Sequence, residues 1–88
     1  RAEAVAAFVA EGGVACASPA ALAARCGVVI GVVVDAAQTE AVLFGEQGAA
    51  AAMAPGSLYV MCSTVAPAFS AALEQRLAAQ GLLYLDAP

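Results

Sequence analysis

The 88-residue chain lacks histidine and lysine altogether, and its only basic residues are Arg1, Arg25 and Arg76. Histidine and lysine are the side chains most readily tuned to exchange a proton near neutral pH. A catalytic acid or base therefore lies outside these 88 residues, or there is none. A net charge of −4 also leaves no basic surface for phosphate backbones, which excludes nucleic acid as a partner.

Signatures of metal sites, membrane spans and export are missing as well. Cys16, Cys26 and Cys62 have no C-x-x-C spacing, which argues against structural zinc and predicts buried, reduced thiols. The longest stretch without a charged side chain, residues 47–73, is interrupted by prolines, glycines and hydroxyl residues, so we expect no membrane-spanning helix and no membrane partner. No signal peptide is visible, and we expect a cytoplasmic protein.

The sequence also has no G-x-G-x-x-G loop of the kind that cradles a dinucleotide phosphate. Its Gly27-x-x-x-Gly31 pattern lies in a short valine-rich run, which indicates close backbone packing in a strand rather than helix pairing in a membrane. Arg1 is not an initiator methionine, and the chain stops on a proline directly after a strand pattern. We therefore interpret the chain as an excerpt of a longer protein.

Helical and strand patterns alternate along the chain. Apolar faces and capping signals predict helices over residues 2–11, 19–25, 36–44 and 67–80, with a short helical turn over residues 48–53. Runs of aliphatic residues predict strands over residues 14–17, 28–34, 58–62 and 82–85. The near-continuous apolar run at 28–34 is typical of a strand buried on both faces. The alternation predicts one α/β domain with a parallel sheet.

Small polar residues stand at the ends of two of these strands. Ser63 and Thr64 follow the third strand, and Asp86 ends the last one. Ligands of parallel sheets bind outside the carboxyl ends of the strands, so these residues indicate a shared crevice. Ser63 and Thr64 could equally cap the helix that follows, and both interpretations stay open on this pattern alone. We expect Asp35 to cap a helix and Asp86 to fix the next loop.

The stretch Gly56 to Pro88, with Met-Cys-Ser-Thr-Val-Ala-Pro in it and Leu-Asp-Ala-Pro at its end, resembles the NAD-binding domain of β-hydroxyacid dehydrogenases. These include the 3-hydroxyisobutyrate dehydrogenases. The stretch Val33 to Gly45 looks most like the L-threonate dehydrogenase branch, and the resemblance covers essentially all 88 residues. It implies a partial Rossmann-type, doubly wound parallel sheet. Residues 1–88 would be the second half of the dinucleotide-binding domain, without its glycine-rich loop and without the C-terminal helical domain.

By position, the resemblance places cofactor contacts on Val33, Val34, Gln38 and Thr64, and a substrate-carboxylate contact on Ser63. It implies NAD as cofactor, with NADP possible, a small hydroxy acid as substrate, and a homo-oligomeric full-length protein. No catalytic residue and no metal ligand falls within the chain, because the family's lysine belongs to a later helix.

The resemblance further implies that the parent protein is an NAD(P)-dependent dehydrogenase. It would transfer a hydride from a β-hydroxy acid, such as L-threonate, to the nicotinamide. The alternative is a non-catalytic, dehydrogenase-like module for nucleotide binding or interaction. In either case we expect the 88 residues alone to be inactive.

Overall fold

Three parallel strands and five helices follow one another through residues 2–87, the portion of the chain that this computed structural model describes. The helices are α1 (Ala2–Ala10), α2 (Pro19–Ala23), α3 (Ala36–Phe44), α4 (Ala49–Ala52) and α5 (Pro67–Ala78), and the strands are β1 (Val28–Gly31), β2 (Leu58–Met61) and β3 (Leu83–Asp86). The sheet order is β1-β2-β3, and each strand is parallel to the next. The predicted parallel α/β arrangement is therefore confirmed. None of the described helices is long and apolar enough to cross a membrane.

The three strands are in register, so they end together. Gly31 pairs with Met61, and Met61 pairs with Asp86, in the last row of the sheet. The loops that follow β1 and β2 therefore leave from one side of the sheet, which we call the carboxyl edge. The opposite side, where the strands begin, is the amino edge.

Helix boundaries follow the capping residues of the sequence. The Ser18 hydroxyl accepts a hydrogen bond from the Ala21 N–H at 3.1 Å at the start of α2, and the Asp35 carboxylate accepts one from the Gln38 N–H at 2.9 Å at the start of α3. Both predicted caps are confirmed. Past the end of α5, Gly81 has a φ of 77°, a left-handed conformation that costs glycine little, and there the chain turns into β3.

The buried core lies on one face of the sheet. Val29, Tyr59 and Met61 point to this face, because alternate strand residues share a side. Around them pack buried residues of the helices and their connections: Ala23, Leu43, Ala49, Ala50, Met53, Leu73, Leu77 and Leu82. The connections from β1 to β2 and from β2 to β3 run in the same direction across the sheet, so their helices cover the same face.

The other face of the sheet is left uncovered within residues 2–87. We call it the open face; it consists of Val28, Ile30, Leu58, Val60, Leu83 and Leu85. Ile30 is 62% exposed and Leu83 is 59% exposed. The prediction that the strand beginning at Val28 is buried on both faces is wrong here, because no described helix packs on this side. The apolar face of α1 is present but equally unburied.

Two further predictions are wrong. Residues 14–17 form no strand, since a strand needs a hydrogen-bonded neighbour and none reaches this segment within the described residues. All three cysteines are free, but Cys26 is exposed in the turn between α2 and β1, while Cys16 and Cys62 are half-buried. The prediction of buried thiols is thus wrong for Cys26, because the turn that carries it lies at the surface.

Candidate functional site

Two loops leave the carboxyl edge next to each other, the β1 loop (residues 32–35) and the β2 loop (residues 62–66). They stay in contact beyond the last strand pair, since the Cys62 N–H donates to the Gly31 carbonyl at 3.0 Å. Four of the five predicted site residues lie in these loops, and Gln38 lies in the first turn of α3. The parallel topology thus brings the whole predicted set to one place.

The contact between the loops continues through a side chain. The Ser63 hydroxyl donates to the Val33 carbonyl at 2.6 Å and accepts from the Val33 N–H at 3.0 Å. Ser63 is only 5% exposed. One hydroxyl therefore satisfies both peptide groups of a residue on the neighbouring loop, and we call this pair of hydrogen bonds the Ser63 clip. It also explains why β1 ends at Gly31 and not at Val34 as predicted. Beyond Gly31, the Ser63 side chain takes the place of a backbone partner for Val33.

The second link runs from the β1 loop into α3. The Val34 N–H donates to the Gln38 Oε1 at 2.8 Å, while the Gln38 N–H donates to Asp35. The arrangement is similar to a capping box, except that the glutamine reaches the residue before the cap. Val34 is 80% exposed, so its side chain is presented to solvent at the carboxyl edge. Gln38 is exposed as well.

Thr64 is the predicted site residue with a hydroxyl open to a ligand. It is exposed, and its hydroxyl makes no hydrogen bond within residues 2–87. The N-cap of α5 is Ala66, with no side-chain hydrogen bond to the helix. The alternative that Ser63 and Thr64 cap this helix is therefore wrong. Ser63 is bonded to Val33 instead, and Thr64 faces solvent.

A separate polar cluster lies at the end of β3. The Ser70 hydroxyl is 2.9 Å from the Asp86 Oδ2 and 2.6 Å from the Tyr84 hydroxyl. An ionised carboxylate can only accept, so Ser70 donates to Asp86 and Tyr84 donates to Ser70. Burial raises the pKa of Tyr84, the hydrogen bond with Ser70 opposes this, and the nearby carboxylates of Asp86 and Glu74 add to the rise. This cluster fixes Asp86 against α5, and the loop that Asp86 is predicted to hold lies outside the described residues.

This cluster was not predicted, although the sequence carries a sign of it. Ser70, Leu73 and Leu77 are all buried and lie on one face of α5. A serine in that series is a polar residue at a core-facing position, and such a residue needs a hydrogen-bonding partner. The Ser63 clip has no comparable sign, because nothing in the sequence indicates which loop Ser63 meets.

Tyr59 packs against the end of β1 on the buried face of the sheet. It is completely buried, and its hydroxyl has no hydrogen-bond partner within the described residues. A Cβ on Gly31 would overlap this hydroxyl, which confirms the predicted close packing at Gly31. Burial, chiefly, and the neighbouring Tyr84 raise the pKa of Tyr59. The end of β1 thus requires glycine because a phenol lies against its backbone.

Basic side chains are absent from the described residues of the carboxyl edge, where Asp35 and Asp86 are acidic. Arg76, in the last turn of α5, is 2.7 Å from Glu40 of α3 and lies 3.8 Å from the centre of the Phe44 ring. It is directed to the amino edge, because α5 ends there, and Arg25 precedes the start of β1 on that same side. No cluster of three metal-ligating side chains occurs in residues 2–87.

These groups can be compared with what a dinucleotide requires. The carboxyl edge offers the Thr64 hydroxyl and the exposed side chains of Val32 and Val34. Such a surface suits the uncharged ring and ribose hydroxyls of a nucleoside. A pyrophosphate would find no basic side chain among the described residues of this edge. The chain therefore fits the nucleoside portion of NAD, and its phosphates would need donors from elsewhere.

Comparison with known proteins agrees with this geometry. Residues 1–88 match the family model described as the NAD binding domain of 6-phosphogluconate dehydrogenase. An L-threonate dehydrogenase from Cupriavidus necator is 63% identical over 81 residues, which are 92% of this chain and 27% of that protein.

Solved structures give the same picture. The crystal structure of a 3-hydroxyisobutyrate dehydrogenase from Salmonella typhimurium matches with a TM-score of 0.88 and 34% identity, over 96% of this chain and 29% of that one. A Mycobacterium tuberculosis 3-hydroxyisobutyrate dehydrogenase, solved with L-serine, matches with a TM-score of 0.77 and 28% identity, over 99% of this chain and 29% of that one. The chain thus spans less than a third of the length of these relatives. The likenesses confirm the predicted partial Rossmann-type sheet.

Proposed function

Because the chain belongs to the family of the NAD binding domain of 6-phosphogluconate dehydrogenase, we propose that it forms the second half of the cofactor domain of an NAD-dependent β-hydroxyacid dehydrogenase. The observation that carries the proposal is the meeting of the β1 and β2 loops at the carboxyl edge. Ligands of open parallel sheets bind in this position, outside the strand ends.

The names of the relatives support a short hydroxy acid as substrate. L-threonate and 3-hydroxyisobutyrate both carry a hydroxyl on the β-carbon, and so does the L-serine found with the Mycobacterium tuberculosis enzyme. We propose L-threonate for this protein, because the chain is 63% identical over 81 residues to the Cupriavidus necator relative that bears this name. NAD is the proposed cofactor, with NADP as the alternative.

Each predicted site residue has a role in this proposal. Thr64 would bind the cofactor through its exposed hydroxyl, and Val33, Val34 and Gln38 would line the same nucleoside surface. Ser63 would contact the substrate carboxylate through its backbone N–H, since Val33 occupies its hydroxyl. Bound NAD would supply the hydride acceptor for the carbinol carbon. Groups without charge can hold ligand oxygens and leave the local potential unchanged where the hydride moves.

The base that removes the hydroxyl proton is not among these residues, because the chain contains neither histidine nor lysine. The proposal therefore assigns this base to another region of the full-length protein. Because this base is absent from the 88 residues, the competing function is a dehydrogenase-like module that binds a nucleotide without turnover. The two functions differ in one observable, the reduction of NAD in the presence of a hydroxy acid.

The test uses the full-length protein that contains this chain. L-threonate, 3-hydroxyisobutyrate and L-serine are each supplied with NAD and with NADP, and formation of the reduced cofactor is followed by absorbance. We expect turnover with at least one acid and a higher KM for NAD in Thr64→Val, which removes a hydroxyl and keeps the shape. Binding of NAD without turnover would favour the non-catalytic module. No binding of either cofactor would contradict the proposal.

A further inference from the structure

The hydroxyl of Ser63 has no proton left to donate to a substrate carboxylate. A serine hydroxyl has one proton to donate, and Ser63 donates it to the Val33 carbonyl at 2.6 Å. The same oxygen accepts the Val33 N–H at 3.0 Å, and the residue is 5% exposed. A carboxylate ligand needs a donor. To offer one, Ser63 would have to give up its hydrogen bond to the part-buried Val33 carbonyl, which is costly.

The clip determines instead where the two loops lie relative to each other. Backbone pairing between them ends where Cys62 donates to Gly31. Beyond that point the connection runs from Ser63 to Val33, and then from Val34 to Gln38 at the start of α3. Thr64 is the next residue after Ser63, so the clip sets the distance between the Thr64 hydroxyl and the exposed Val34 side chain.

We propose that the Ser63 hydroxyl is a positioning group for the cofactor, acting through Val33, and that it is not a ligand of the hydroxy acid. It holds Val34 and Thr64 as one preformed surface for the nucleoside portion of NAD. The proposal rests on the proposed function, because it presupposes that NAD binds at the carboxyl edge. Without the clip, the two loops would have to be ordered at each binding event, and this ordering would weaken affinity.

The experiment compares variants of the full-length protein by calorimetric titration with NAD alone, followed by kinetics with L-threonate at saturating NAD. We expect Ser63→Ala to weaken NAD binding by about tenfold and to leave the KM for L-threonate unchanged. Ser63→Thr, which keeps the hydroxyl, is expected to bind NAD more tightly than Ser63→Ala. Ser63→Cys, with a weaker hydrogen-bonding group of similar size, carries the same test if Ser63→Ala does not fold.

Ser57→Ala is the matched control. Ser57 is a buried serine at the amino edge, 6% exposed, and its hydroxyl makes no hydrogen bond within residues 2–87. Ser57→Ala should leave the Kd for NAD and the KM for L-threonate unchanged. A Ser63→Ala protein with wild-type affinity for NAD and a raised KM for L-threonate would overturn the inference, because the hydroxyl would then be a substrate ligand. If the wild-type protein itself bound no NAD, the proposed function would fail first, and the inference with it.

Discussion

Gly31 lies directly against the buried phenol of Tyr59, so that a methyl group on the glycine would occupy the position of the Tyr59 hydroxyl. Gly31→Ala should therefore destabilise the protein by roughly 2 kcal/mol, as overpacking in a core does. Unfolding in urea measures this change. Gly27→Ala is the control, because a Cβ there meets nothing within 4 Å. Adding Tyr59→Phe to Gly31→Ala should restore only part of the loss, because the ring carbon Cζ would still lie 2.6 Å from the new Cβ. Equal effects of the two glycine substitutions would contradict the packing.

The Tyr59 phenol gives the protein a pH dependence in the alkaline range. Burial raises the pKa of Tyr59 above its ordinary value of about 10, so the folded state keeps a proton that the unfolded state releases. The free energy of unfolding should therefore be independent of this group below about pH 10 and should fall as the pH rises above it. Comparing the pH profiles of wild type and Tyr59→Phe isolates the effect. Parallel profiles would show that Tyr59 titrates normally.

Ser70 connects two side chains of β3 to α5. Ser70→Ala would leave the Tyr84 hydroxyl and the Asp86 carboxylate without this partner, and we expect a loss of about 1 to 2 kcal/mol in the free energy of unfolding. Chemical denaturation measures it, with Ser57→Ala as a buried serine that makes no such bonds. If Ser70→Ala and Tyr84→Phe lowered stability independently, the hydrogen bond between them would contribute nothing.

The open face predicts how the 88-residue chain behaves in isolation. Parallel sheets are normally covered on both sides, and here one side presents only aliphatic residues to water. We expect concentration-dependent association in sedimentation experiments. Ile30→Lys, which places a charge on the open face, should reduce it, while a charge at the exposed Ala79 should not. A compact monomer at every concentration would contradict this prediction.

Residues 1–88 alone should bind NAD poorly. They contain no G-x-G-x-x-G loop, and the described residues of the carboxyl edge include no basic side chain for the pyrophosphate. Calorimetric titration of the isolated chain should give no resolvable heat of binding, and no turnover should be seen with hydroxy acids. Tight binding of NAD to these residues alone would show that phosphate recognition does not need a glycine-rich loop.

The order of helices and strands could be predicted because each element carries its own local evidence. A helix cap and a turn depend on only a few neighbouring residues. As predicted, Asp35 caps α3, and the chain turns at Pro55-Gly56 before β2. The convergence of Val33, Val34, Ser63 and Thr64 also follows from parallel strands alone. The choice of these residues comes from the family resemblance, and the parallel topology explains why they lie together.

What could not be predicted depends on partners distant in the sequence. The apolar run at 28–34 has the composition of a fully buried strand, but burial depends on what covers each face, and here only one face is covered. Residues 14–17 likewise have the composition of a strand and no neighbour to pair with among the described residues. The partner of Ser63 is 30 residues away, and no periodicity in the sequence indicates it.

The sheet order β1-β2-β3 repeats the order of the strands in the chain. During synthesis on the ribosome, each new strand would therefore find its neighbour already made and could join at a free side, without separating strands that had paired before. Assembly of this three-stranded sheet can thus advance in step with translation.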